Sequence, residues 1–304
     1  MYGRIPCAAD PIFGVKFMKK RLTTVVLVLI LLLGMGIMLY PTVSDYWNSF
    51  HQSKVITQYA EQVSTMDKSE YDKIIAEARN YNKRLSDSIV MSRGDENLAA
   101  EYNDTLNVAG TGVMGYIEIP KINCSLAIYH GTSDAVLQIG VGHIEGSSLP
   151  VGGIGTHCVV SGHRGLPSAK LFTNLDKLEE GDIFIMRVLN ETLTYEVDQV
   201  LIVLPNETEA LNIDPDKDYC TLVTCTPYAV NTHRLLVRGH RIENLKNADE
   251  IKVTSDAVQI DPMIVAPIVA APILIILVIV VVTGTGKRKR KKKSNAEKDE
   301  NIDK

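Results

Sequence analysis

Thr221-Leu-Val-Thr-Cys225-Thr-Pro-Tyr228 is an apolar, β-type run that ends in a cysteine and a proline, and Asn231-Thr-His-Arg234 follows it. Proline cannot continue a central strand, so Cys225 belongs where a strand opens into a loop and a thiol is reachable. Upstream, Val159-Val-Ser-Gly162 is a similar strand end, and His163-Arg-Gly165 follows. A thiol, an imidazole that exchanges protons near neutral pH, and a fixed cation are what acyl transfer through a thioester requires. Taken singly, each has a plainer reading: a structural cysteine, a turn histidine and a salt-bridged surface arginine. His143 and His157 compete with His163. They rank lower because His143 precedes a Gly/Ser-rich turn and His157 opens a strand. No Asp or Asn stands out to orient the histidine, so a papain-like triad is not supported.

Working outward, the sequence from Gly115 alternates with period two. It predicts strands at Tyr116–Ile119, Leu126–Tyr129, Cys158–Ser161, Asp182–Val188, Thr192–Val197, Val200–Leu204, Thr221–Cys225 and Leu235–His240. Turn signals such as Glu180-Gly181-Asp182 and Leu189-Asn190 separate them. Many short strands at this spacing make the chain mainly β, as a closed barrel or a sandwich. A helical turn is expected around Ser168–Leu178. Ahead of the strands, Tyr46, Trp47, Phe50, Val55, Ile56, Tyr59 and Val63 fall on one helical face. Asp67 and Ser69 cap a second helix through Leu85, completing a helical hairpin. Residues 86–110 are expected to form an extended polar loop.

The net charge of −4 hides three zones. Residues 1–21 carry five Lys/Arg and one Asp, residues 287–304 carry nine Lys/Arg and four Asp/Glu, and the middle holds 18 basic against 31 acidic residues. An acidic middle argues against nucleic-acid binding. Two apolar segments account for the zoning. Leu22–Tyr40 follows Lys19-Lys-Arg21, and Met263–Thr283 precedes the run Lys287–Lys293. Each is near the ~20 residues a spanning helix needs, and basic outer flanks place both termini in the cytoplasm. Pro267 and Pro272 are compatible with a kinked span. A cleaved signal peptide is the alternative for the first segment, but no small-x-small site follows it. The polybasic run suits an anionic-lipid anchor. Met18-Lys-Lys-Arg21 is a better expected start than Met1, because residues 1–17 are unlike a targeting signal.

The five cysteines are Cys7, Cys124, Cys158, Cys220 and Cys225, and their spacing fits no zinc pattern. Cys124, Cys158 and Cys220 are expected to be small buried residues, with a bridge among them left open.

The segment from Gly112 to Arg241 resembles a sortase, specifically a class C, pilus-assembling sortase. The resemblance rests on Val113-Met-Gly-Tyr-Ile-Glu-Ile-Pro-Lys121, Ile128-Tyr-His-Gly-Thr132, Gly140-Val-Gly-His143, Glu145–Pro150, Ser161–Pro167 and Leu175-Asp-Lys-Leu178, together with Thr221–Cys225, Pro227-Tyr228 and Asn231–Gly239. It implies an eight-stranded sortase-type β-barrel carrying an N-terminal helical hairpin between two flanking transmembrane helices. It assigns Cys225 as nucleophile, His163 as general acid/base, and Arg234 as the residue that positions substrate and stabilises the oxyanion. The implied substrate is an LPxTG-like sorting signal on a pilin, cleaved between Thr and Gly, with a pilin lysine as acceptor, and the resemblance implies no metal or cofactor. Class C members typically carry a lid with an Asp-Pro-aromatic motif. Here Ser92-Arg-Gly-Asp-Glu-Asn97 offers Asp95 with neither proline nor aromatic, which implies an active site more open than usual for the class.

The expected layout is a cytoplasmic N-terminus (1–21), a membrane span (22–40), an extracellular helical region with a lid-like loop (41–110), the catalytic barrel (111–245), a linker (246–262), a second span (263–283) and a basic cytoplasmic tail (284–304). Two other functions compete with pilin polymerisation. One is a sortase that anchors surface proteins to peptidoglycan. The other is a non-enzymatic surface protein or pilin, which should carry LPxTG before its C-terminal apolar segment. That position reads Ala257-Val-Gln-Ile-Asp-Pro262 instead.

Overall fold

The structure, a computed structural model, describes residues 11–90, 96–244 and 275. The chain divides into two compact units, Met1–Thr42 with Gln259–Lys304, and Val43–Val258. Helix α1 (Pro11–Thr65) begins in the first unit and includes a stretch long and apolar enough to cross a membrane. The expected linker, second span and basic tail lie outside the described residues, Ile275 apart.

The second unit is built on a closed eight-stranded barrel. Its strands are β1 (Val113–Ile119), β2 (Cys124–His130), β3 (Val141–His143), β4 (Thr156–Gly162), β5 (Ile183–Val188), β6 (Glu191–Val203), β7 (Asp218–Thr226) and β8 (His233–Arg241). The order around the barrel is β1-β2-β3-β4-β7-β8-β6-β5. The pairs β2–β3 and β4–β7 are parallel and the rest antiparallel. Closure leaves no edge strand unpaired. Across the closing β1–β5 seam, buried Arg187 donates through Nε to Glu118 Oε2 at 2.7 Å.

The barrel and hairpin expectations hold, and three details differ. The runs Thr192–Val197 and Val200–Leu204 are one strand, β6. A register shift between Val197 and Gln199 breaks the sequence alternation there. Leu193, Tyr195 and Val197 point into the main core, but beyond the shift Leu201 and Val203 join a cluster on the outer face. A bulge adds one residue and so flips the phase of the pleat. Strand β3 and helix α4 (Asp134–Ile139) were not expected, being too short to show a period. The second helix, α2 (Lys68–Val90), runs past Leu85, and the expected loop contains a further short helix, α3 (Glu96–Tyr102). Around Ser168–Leu178 there is one tight turn, Leu175–Lys177.

The hairpin is fastened to the barrel by buried polar groups as well as by apolar packing. Asp67 accepts from Glu70 N at 2.9 Å and Ser69 Oγ at 2.7 Å, which holds its carboxyl below the usual range and starts α2. From α1, Tyr59 donates to Met114 O at 2.9 Å and accepts from Leu189 N at 2.7 Å. From α2, Asn82 reads both backbone groups of Leu149, through Leu149 O (3.0 Å) and N (2.7 Å). Satisfied in this way, polar side chains tolerate full burial and fix one packing arrangement.

Candidate active site

Three neighbouring strand ends build the site. In the antiparallel β7–β8 pair, Cys225 lies directly opposite Arg234. In the parallel β4–β7 pair, the register runs to Ser161 opposite Val223. Two residues further along each chain come His163 and Cys225. Thr224 Oγ1 donates to Gly162 O at 2.8 Å and keeps the two chains together at that level. Cys225 is therefore paired with Arg234 on β8, and β4, its neighbour on the other side, ends at Gly162, directly before His163.

The pleat sets the direction of these groups. Residues directly opposite, and residues two apart, share a face. Cys225 follows Val223 and Arg234 precedes Leu236, two residues apart in each strand, and His163 is the first residue after β4. Val159, Val223 and Leu236 form the outer cluster, against which Ile144, Leu201, Val203, Ala210 and Leu211 pack. Cys225 and Arg234 thus lie at one end of this apolar strip, and β4 leads from Val159 toward His163 at the same end.

Cys225 is half-buried, whereas Cys124, Cys158 and Cys220 are buried, free thiols. Burial pushes the Cys124 thiol up to about 12 and the Cys220 thiol well above its ordinary value, so neither is a competent nucleophile. Cys158 lies opposite Cys220 and is 2% exposed. His163 makes no ring hydrogen bond among the described residues. The competing histidines are fully engaged. His143 Nδ1 meets Tyr102 Oη at 2.9 Å and its Nε2 meets Ser148 O at 2.9 Å. His157 Nδ1 donates to Asn212 O at 2.9 Å while its Nε2 meets Thr221 Oγ1 at 2.7 Å. Arg234 donates to Asn231 O at 3.2 Å and His233 O at 3.1 Å. No carboxylate pairs with it among the described residues, so its charge is left to act on a bound group.

The loop after His163 is held from several sides. Phe172 N donates to His163 O at 3.1 Å and Gly165 N to Thr173 Oγ1 at 3.0 Å. Arg164, read in sequence only as the neighbour of His163, is a structural tie. Its Nη2 donates to Asp176 at 2.5 Å, its Nη1 to Thr226 Oγ1 at 3.5 Å, and its guanidinium lies 5.9 Å from the Tyr228 ring centre. It joins the loop bearing His163 to the strand end bearing Cys225. Sequence gave no signal for this, since Thr226 and Asp176 lie far apart along the chain. Asp95 lies outside the described residues. Among the described residues no cluster of His, Cys, Asp and Glu is arranged to hold a metal ion.

A sortase domain family model matches residues 117–242. Sortase C1 from Streptococcus agalactiae is 52% identical, with a TM-score of 0.60, over 63% of this chain and all of that one. The chain belongs to the sortase family. Sortase C from Streptococcus pneumoniae is 46% identical over 62% of this chain and 96% of its own, with a TM-score of 0.56. These neighbours place this sortase in class C. Sortase D of Bacillus subtilis is 32% identical over 42% of this chain, and the match spans 63% of that protein's length.

Proposed function

We propose that this sortase is a membrane-anchored cysteine transpeptidase that cleaves LPxTG-like signals between Thr and Gly and joins the Thr carbonyl to a pilin lysine. The single observation that supports this reading is the pairing of Cys225 with Arg234 at one end of the outer apolar strip, beside the end of the strand that precedes His163. The strip suits the leucine and proline of the signal, and a thiol at its end meets the scissile carbonyl.

The Cys225 sulfur attacks the Thr carbonyl, and Arg234 faces the oxyanion that develops. His163 gives a proton to the departing Gly nitrogen as the C–N bond breaks, leaving a thioester on Cys225. The lysine ε-amine then attacks that thioester, His163 takes its proton, and the thiol is regenerated as the isopeptide bond forms. Water in place of the amine would give hydrolysis.

Pilin is favoured over peptidoglycan as acceptor by the class C neighbours, one of which is described for its pilin substrate specificity. The helical anchor and the basic flanks support a catalytic unit on the extracellular face with both termini in the cytoplasm. The loop around Asp95 lacks a proline–aromatic plug, which supports an open site.

Cys225→Ala should abolish cleavage of an LPxTG peptide, and His163→Ala should lower turnover by ~10²–10⁴. Retained cleavage by the Cys225 variant would remove the proposed nucleophile. Transfer to a diaminopimelate-type cell-wall amine in preference to a pilin lysine would establish the anchoring reaction instead.

A further inference from the structure

Helix α1 has two sides between Val43 and Glu61. At 3.6 residues per turn, Asp45, Asn48, Gln52 and Tyr59 fall on one side. All four are engaged with the barrel. Asp45 accepts from Lys170 N at 2.7 Å and pairs with Lys170 Nζ at 3.5 Å. Asn48 donates to Ser168 O at 3.2 Å, and Gln52 accepts from Ala127 N at 2.9 Å. The opposite side carries Val43, Trp47 and Phe50, flanked by Tyr46. These four are 58–63% exposed. Further along the same outer stripe stand Lys54, Thr57 and Glu61, all exposed. The stripe thus changes from aromatic to polar just beyond Phe50.

An exposed aromatic stripe that ends so sharply requires a matching boundary in its surroundings. The run Leu22–Ser44 contains no charged residue. Its 23 residues span ~34 Å as a helix, against a hydrocarbon core of ~30 Å. Trp47 comes three residues later, ~5 Å on, where the headgroup layer adds roughly 5–7 Å to each side of a bilayer. Tryptophan and tyrosine concentrate at this depth because their rings are apolar and their edges polar.

We propose that Val43, Tyr46, Trp47 and Phe50 form a lipid-facing surface that seats the catalytic unit on the bilayer, with Trp47 in the headgroup layer. The inference rests on reading Leu22–Tyr40 as a membrane span. A tilt of the helix toward this face brings Phe50 to the same depth, while Lys54 and Glu61 stay in water. The other side of the same helical segment holds Ser168 and Lys170, in the loop that follows His163.

Trp47 is the single tryptophan of the chain, so its fluorescence reports this position without any substitution. The full chain is reconstituted in phosphatidylcholine–phosphatidylglycerol vesicles and its flotation is checked first. The expected result is blue-shifted emission, quenched strongly by lipids brominated near the glycerol, weakly by lipids brominated at the chain end, and weakly by aqueous iodide. Tyr46→Ser/Phe50→Ser should raise quenching by iodide. Ready quenching by iodide with no effect of brominated lipid would overturn the proposal, because the face would be in water. Quenching by neither would overturn it too, showing the face covered by protein. A chain that fails to float with the vesicles would instead refute the membrane span on which the proposal rests.

Discussion

Gly162→Ala tests the link between packing and chemistry at one methyl group. A Cβ at this position would lie 2.7 Å from Phe172 Cδ2 and 2.9 Å from both Phe172 Cγ and Val141 Cγ1. Ordinary carbon–carbon contact is ~3.5–4.0 Å, so the overlap is roughly 0.6–1.3 Å. Phe172 and Val141 are fully buried, and the ring has no room to retreat without moving its backbone. Overpacking of this kind costs ~1–3 kcal/mol. In a domain of ~150–250 residues each kcal/mol lowers Tm by ~2–4 °C, so a fall of ~2–12 °C is expected. The larger effect is on catalysis. Phe172 N holds His163 O, so a shift of the Phe172 backbone passes to the histidine. A displacement near 1 Å can cost ~10² in rate. The assay pairs thermal unfolding by circular dichroism with LPxTG-peptide turnover well below Tm. A variant with wild-type turnover, or one whose loss of turnover only matches its unfolded fraction, would refute the reasoning.

Two further outcomes follow from the geometry. Arg164→Met cuts the tie to Asp176 and Thr226 and should lower kcat ~10-fold or more with little change in KM; Arg164→Lys should recover only part, because an ammonium lacks the guanidinium fork. Equal kcat for Arg164→Met and wild type would show that the tie is dispensable. Buried His157 has its pKa lowered, chiefly by desolvation, so its neutral form is favoured in the fold. Its contribution to stability is complete above the ~6.5 of a free imidazole and is lost as pH falls below it, where the unfolded chain binds the proton first. Melting temperature should therefore drop between pH ~7.5 and ~5.5, and His157→Gln should flatten part of that drop; an unchanged slope would exclude His157 as its source.

The β-rich architecture, the hairpin with its Asp67 cap and the Cys225 strand end were all legible along the chain. Each is governed by neighbours a few residues apart: a pleat of period two, a helical stripe, a capping carboxylate, a proline that ends a strand. The candidate nucleophile, base and cation could be named one by one for the same reason, and the family motifs joined them. What the chain could not display was how they meet. His163 and Cys225 are 62 residues apart, and only the parallel pairing of β4 with β7 brings the ends of their strands together. The tie from Arg164, the Asp45 and Asn48 contacts behind the His163 loop, and the closely packed Phe172 next to Gly162 are likewise long-range. The bulge in β6 misleads a local reading, because one inserted residue reverses which face a side chain takes. Alternation and capping are properties of adjacent residues, whereas register and packing arise only when distant strands close on one another.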